Sequence, residues 1–91
     1  QVKEFTIEGS KYVFTPNQIK VKVGDKVKIN FINKDGLHDF VIDKLSVKSK
    51  RLNTGESEML EFTANDKGSF EYYCSVGNHK AMGMKGTLVI E

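Results

Sequence analysis

One cysteine and two histidines are all the thiol and imidazole donors that this 91-residue chain offers. A lone cysteine cannot close a disulfide within the chain, so disulfides say nothing about its compartment. Proline occurs once, at Pro16, and no stretch carries a long helical period, which argues against a helical bundle. No run is apolar enough for a transmembrane helix, and no low-complexity tract, internal repeat or linker interrupts the chain. The expectation is therefore a single domain spanning residues 1–91. Gln1 stands directly before a strand-like run, which suits a leader or a membrane anchor outside these residues. Charge of one sign is also lacking. The net charge is +2, too small for a strong pull toward nucleic acid, and the lysines are scattered along strand faces instead of clustering.

What is present is concentrated. The stretch Cys74-Ser75-Val76-Gly77-Asn78-His79-Lys80-Ala81-Met82-Gly83-Met84 holds the cysteine, one histidine and two of the three methionines. The other histidine lies upstream in Gly36-Leu37-His38-Asp39-Phe40. Taken singly these residues are ordinary: a lone cysteine is usually a small buried hydrophobe and a methionine a gap filler. Together they change the odds. Gly77 and Gly83 suit a tight loop whose side chains converge on one point. A cysteine thiolate and two histidines in a plane, with a weak axial methionine, form the donor set of blue-copper electron-transfer sites. His38, Cys74, His79 and Met84 are the candidate metal ligands, for one copper ion per chain.

The remainder reads as short strands. Lys3 to Ile7 alternates, with Phe5 and Ile7 on one face, and Gly9-Ser10 is expected to turn the chain. Tyr12-Val13-Phe14 is a short apolar piece stopped by Pro16. Ile19, Val21 and Val23 alternate with lysines, Gly24-Asp25 turns, and Val27, Ile29 and Phe31 alternate again. The local spacing suggests a hairpin between these two runs, but their pairing stays open. Asn33 to Gly36 is a polar turn delivering His38, and Phe40-Val41-Ile42 continues as a buried strand. Residues 43–56 have the weakest pattern and are expected to be mostly irregular, anchored by Leu45, Val47 and Leu52. Met59, Leu60 and Phe62, then Phe70 and Tyr72, then Thr87 to Ile90 mark the last three strands. Seven to eight short strands with regular turns predict an all-β, Greek-key β-sandwich.

Cys-x4-His-x4-Met followed by Lys85-Gly86-Thr87-Leu88-Val89-Ile90 resembles the copper loop and last strand of cupredoxins. Phe14-Thr15-Pro16, Ile19-x-Val21-x-Val23-Gly24-Asp25-x-Val27, His38-Asp39-Phe40 and Gly68-x-Phe70-x-Tyr72-x-Cys74 match the same family. The spacing of His79 and Met84 is plastocyanin-like, whereas that of Cys74 and His79 is closer to auracyanin and azurin. The resemblance implies a mononuclear type 1 (blue) copper protein that carries one electron at a time, with copper cycling between +1 and +2. It implies redox protein partners docking near His79, a monomer, and an extracytoplasmic location in the periplasm or on the outer face of the cell membrane. Leu37, Val76, Ala81 and Met82 would form the apolar docking rim, flanked by Lys34, Lys80 and Lys85, which would steer an acidic partner.

Two departures stand out. Cupredoxins commonly carry Asn directly after the first histidine, tying the two ligand loops together. Here Asp39 either accepts loop amide hydrogens and places negative charge near the copper, or points to solvent. Met82 offers a rival axial sulfur, with apolar surface as its other role.

Other functions fit less well. A copper chaperone or storage protein would hand over the metal instead of retaining it. A Cys-His nucleophile lacks an orienting acid and an oxyanion donor. A copper enzyme acting on nitrogen oxides would normally need a second copper site, for which no histidines remain, and a dinuclear copper centre needs a second cysteine. Methionine is a poor zinc ligand. A metal-free immunoglobulin-like module leaves the four donors unexplained.

Overall fold

The computed structural model describes Gln1–Glu91 and contains nine strands: β1 Val2–Ser10, β2 Val13–Thr15, β3 Gln18–Val21, β4 Lys26–Asn33, β5 Val41–Ile42, β6 Val47–Lys48, β7 Ser57–Thr63, β8 Gly68–Tyr73 and β9 Lys85–Ile90. They form two mixed sheets, ordered β2-β1-β4-β7 and β3-β9-β8-β5-β6. The count exceeds the expected seven to eight because β6, in the segment expected to be irregular, is a two-residue strand too short to show a period.

Alternation dictates the layers. Along β4, Val27, Ile29, Phe31 and Asn33 point inward while Lys26 points to solvent. This strand lies between β1, which runs parallel to it, and β7, which runs antiparallel. In the second sheet β9 is central, parallel to β3 and antiparallel to β8. Between the sheets, Phe14 packs edge-on against Phe31, Phe40 and Tyr72 at centroid distances of 5.9, 5.6 and 5.6 Å, and Phe40 stacks on Tyr72 at 4.9 Å. Phe40 lies two residues after His38, and Tyr72 two before Cys74. The aromatic core therefore grips both ligand-bearing strand ends.

Three local expectations need correction. Gly9-Ser10 does not turn the chain. β1 continues through Ser10 because Gly9 pairs with Asn33 on one side and Phe14 on the other, leaving Lys11-Tyr12 as the turn. Val23 does not continue β3. The Asp25 carboxylate accepts the Lys22 amide, Gly24 takes a positive φ, and Val23 is left exposed. Nor is there a hairpin between β3 and β4, which lie in different sheets. The crossing at Val23–Asp25 is held by backbone bonds from Val23 to Glu91 and from Gly24 to Ala64.

Residues 43–56 contain a 3-10 turn at Asp43–Leu45, β6, and a single bridge pairing Leu52 with His38. Val47 and Leu52 are buried and Leu45 packs against the core, so all three anchors hold. No helix is long and apolar enough to cross a membrane.

Candidate metal centre

His38 is fixed before its ring is considered. Its amide donates to the Leu52 carbonyl at 3.1 Å, and its carbonyl accepts the Leu52 amide at 2.8 Å. The buried Asn33 amide group braces the same turn, donating to the carbonyls of Gly36 and Leu52, each at 2.7 Å. Cys74 follows directly on β8. The loop from Cys74 to Met84 closes on itself in helical turns, with the Met82 and Met84 amides donating to the His79 carbonyl at 3.0 and 3.1 Å. Gly77 and Gly83 bracket it with φ of 51° and 104°, a backbone region that L side chains rarely occupy. Met84 ends the loop. Its amide bonds His79, and its carbonyl accepts the Cys74 amide at 3.2 Å, so one residue ties both.

The side chains converge. His38 Nδ1 and His79 Nδ1 are 3.2 Å apart, and Cys74 Sγ lies 3.8 Å from the first and 3.4 Å from the second. A point equidistant from three atoms so spaced is roughly 2 Å from each, close to a nitrogen or sulfur bond to a first-row metal. Met84 is fully buried with its methyl against Gly9, where a β carbon would come within 3.2 Å of it. Met82 is 48% exposed. Of the two rival sulfurs, only that of Met84 belongs to the buried end of the sandwich.

The electrostatics suit a cation. Burial, followed by repulsion from His79, pushes the His38 pKa down against the opposing pull of Asp35 and Asp39. The neutral imidazole is the form that binds metal. Burial pushes the Cys74 thiol up, and the Asp39 carboxylate adds to this, while the backbone amides of Asp39 and Val76 work the other way. A bound cation reverses that balance and draws the thiolate out. Asp39 does not face solvent. It is fully buried, accepts the Ser75 amide on Oδ1 at 2.6 Å, and accepts the Ser75 hydroxyl on Oδ2.

The donor atoms of His38, Cys74 and His79 thus converge at one end of the sandwich, and the Met84 backbone bonds both Cys74 and His79. Two neighbours escaped the sequence reading. Ser75, next to Cys74, answers Asp39, and a hydroxyl adjoining the cysteine was the only available signal. Tyr12 packs its ring 4.8 Å from His79. The signal was its alternation with Phe14, which read only as an apolar strand. A cleft of about 160 Å³ opens here, lined in part by Tyr12, Leu37, His38, Val76 and His79.

Two sheets closed around a core that ends in one thiol, two imidazoles and a thioether define a class of copper-binding β-sandwich. The family model described as cupredoxin-like domain matches residues 1–90. Plastocyanin A/B of Petroselinum crispum is 31% identical over 88 residues, covering 86% of this chain and 87% of the relative. Among solved structures, auracyanin A of Chloroflexus aurantiacus, described as a blue copper protein, superposes with a TM-score of 0.87 at 22% identity over all of both chains. Dithionite-reduced auracyanin of Roseiflexus castenholzii gives 0.87 at 21%, covering 97% of this chain and 96% of that one. The chain belongs to the cupredoxin-like family, and its donor set fits one copper ion per chain.

Proposed function

We propose that this protein is a type 1 copper electron carrier, not an enzyme, in which His38, Cys74 and His79 would hold the metal and Met84 would be the weak fourth donor. The observation that carries the reading is the convergence of Cys74 Sγ with the Nδ1 atoms of His38 and His79. Bound copper would supply one-electron chemistry between +1 and +2, with no covalent bond made or broken in a substrate. The chain's part is to keep donors suited to both states, soft sulfur and imidazole, from moving as charge changes. Backbone bonds at His38, His79 and Met84 and the Asp39–Ser75 link provide that rigidity.

His38, Cys74 and Met84 are fully buried, which favours retention of the metal over hand-over by a chaperone or storage protein. His79 is the half-exposed donor, so redox protein partners would dock over it. Leu37, Ala81 and Met82 are exposed around it and Val76 half-buried, an apolar rim of the kind such docking needs. The flanking charge is smaller than the lysines alone suggest. Lys80 pairs with Glu71 at 2.9 Å and lies over the Tyr73 ring, and Lys34 reaches Glu8 at 4.0 Å, while Lys85 has no such ion pair. The family relationship supports a monomer working outside the cytoplasm, in the periplasm or on the outer face of the cell membrane.

The test is a visible spectrum. Purified protein titrated with Cu(II) should bind one ion and develop an intense thiolate-to-copper absorption, which Cys74→Ser should abolish while the sandwich stays folded. A colourless wild type with stoichiometric Cu(II) bound sinks the reading.

A further inference from the structure

Tyr12 is the one phenol or phenyl ring packed on the two imidazoles. Its centroid lies 4.8 Å from that of His79 with the planes tilted 55°, and 6.4 Å from that of His38, edge-on at 88°. The residue belongs to the two-residue turn between β1 and β2, so the pairing of Ser10 with Val13 holds its backbone. Two residues on, Phe14 is locked in the aromatic core. The ring therefore rests on a rigid base and covers the donor pair from the cleft side.

We propose that Tyr12 is a positioning residue that holds the His79 ring and biases the site toward its oxidised state. The inference rests on the copper reading of the site. An aromatic face is electron-rich, and it attracts a neighbouring ring more strongly as that ring loses electron density. An imidazole bound to Cu(II) is poorer in electrons than one bound to Cu(I), so the Tyr12 face favours the oxidised site. The same ring also keeps water away. Dry surroundings penalise the state with the extra positive charge and so favour the reduced site. The two effects oppose each other, and substitution separates them. Tyr12→Leu retains apolar bulk and removes the face. Tyr12→Ala removes both and admits water.

The experiment measures Cu(II) and Cu(I) dissociation constants by chelator competition, with amide hydrogen exchange of the Gly77–Met84 loop followed in the copper-free protein. Tyr12→Leu should lower the preference for Cu(II) over Cu(I) roughly two- to tenfold, the range an aromatic pair supplies. Tyr12→Ala should fall less than Tyr12→Leu, and Tyr12→Phe should stay within twofold of wild type. Loop exchange should quicken in Tyr12→Leu and Tyr12→Ala and stay unchanged in Tyr12→Phe. A role as mere filler predicts the reverse order, with Tyr12→Leu like wild type and only Tyr12→Ala altered, and that result overturns the proposal. If Tyr12→Leu does not fold, Tyr12→Trp decides: its stronger face must raise the preference for Cu(II), and an unchanged preference overturns the proposal. A wild type that binds neither ion overturns the copper reading and this inference with it. A wild type that binds both ions while Tyr12→Leu leaves their ratio unchanged overturns only the role of Tyr12.

Discussion

Asp39 and Ser75 join the two ligand-bearing segments through two hydrogen bonds to a single carboxylate. Oδ1 takes the Ser75 amide and Oδ2 its hydroxyl, and the carboxylate has no access to solvent. The link matters because Asp39 adjoins His38 and Ser75 adjoins Cys74. Rotation of either segment would separate an imidazole from the thiolate, and the shared carboxylate resists it. Buried carboxylates are costly unless hydrogen-bonded, and this one is satisfied by the strand end that it positions.

Asp39→Asn separates the charge from the link. The amide oxygen can still accept the Ser75 amide hydrogen, and the Asn nitrogen can donate to the Ser75 oxygen, so the loops stay joined. Only the negative charge is lost. A negative charge close to the site stabilises Cu(II) over Cu(I), by an amount on the order of 1 kcal/mol or more at the effective dielectric of a partly buried pair. The reduction potential should therefore rise, as read by protein-film voltammetry. Asp39→Ala should in addition cost about 1–3 kcal/mol of stability, because the Ser75 donors lose their partner. A potential that falls or holds in Asp39→Asn would show that the carboxylate acts on geometry alone.

Gly86 tests how tightly the last strand is packed beneath the site. A β carbon at this position would overlap the Tyr72 ring and come within 2.7 Å of the Asn17 carbonyl. Neither neighbour can yield. The Tyr72 hydroxyl, its pKa pushed up to about 12 by burial, donates to the Pro16 carbonyl at 2.9 Å, and the Asn17 carbonyl accepts the Thr87 amide at 2.9 Å. Gly86→Ala should destabilise the fold by about 3 kcal/mol, at the upper end of ordinary overpacking. In a domain of this size that lowers the melting temperature by more than ~10 °C. Calorimetry on the copper-free protein checks it, and a melting temperature within a few degrees of wild type would mean that β9 shifts freely.

Much of this was legible in the sequence, for a physical reason. The donors are rare residue types, so their crowding into one stretch is informative by itself, and alternation exposes most strands because one face of each is buried. What stayed hidden depends on partners distant in sequence. Val23 continues the alternation of β3, yet the Asp25 carboxylate ends the strand before it. β3 and β4 look like a hairpin, but β3 pairs with β9, whose residues come some seventy positions later. Leu52 reads as a plain anchor, and its role in clamping the His38 backbone exists only through a bridge across the intervening loop. The orientation of Asp39 was undecidable without Ser75 in place opposite it.

The rim around His79 should control transfer to partners without touching the copper. Met82 and Leu37 are 48% and 40% exposed, at the surface beside the half-exposed His79. Met82→Glu puts a charge into a patch that must lose water on docking, which typically costs a few kcal/mol of binding. Electron transfer to a protein partner should slow at least tenfold, whereas the visible spectrum and potential stay near wild type. Stopped-flow rates at several ionic strengths check it, and unchanged rates throughout would move the docking face elsewhere.

The last prediction separates the two sulfurs of the loop. Met84 is fully buried, and its backbone bonds both His79 and Cys74, so its side chain is held by the structure that holds the other donors. Met82 lies mid-loop and exposed, where ordering a flexible thioether over the metal would cost side-chain entropy with nothing to offset it. An axial contact is weak, so its loss should retune the site more than empty it. Met84→Leu conserves volume and should cost less than about 1.5 kcal/mol of stability. It should retain copper and raise the potential, because the lost donor helps to stabilise Cu(II). Met84→Gln supplies a harder oxygen, so the potential should fall and the balance of the visible bands should shift. Met82→Leu should alter neither. Voltammetry and visible spectra of the three variants decide between the residues: if Met82→Leu moves potential and bands while Met84→Leu leaves both in place, the axial sulfur belongs to Met82.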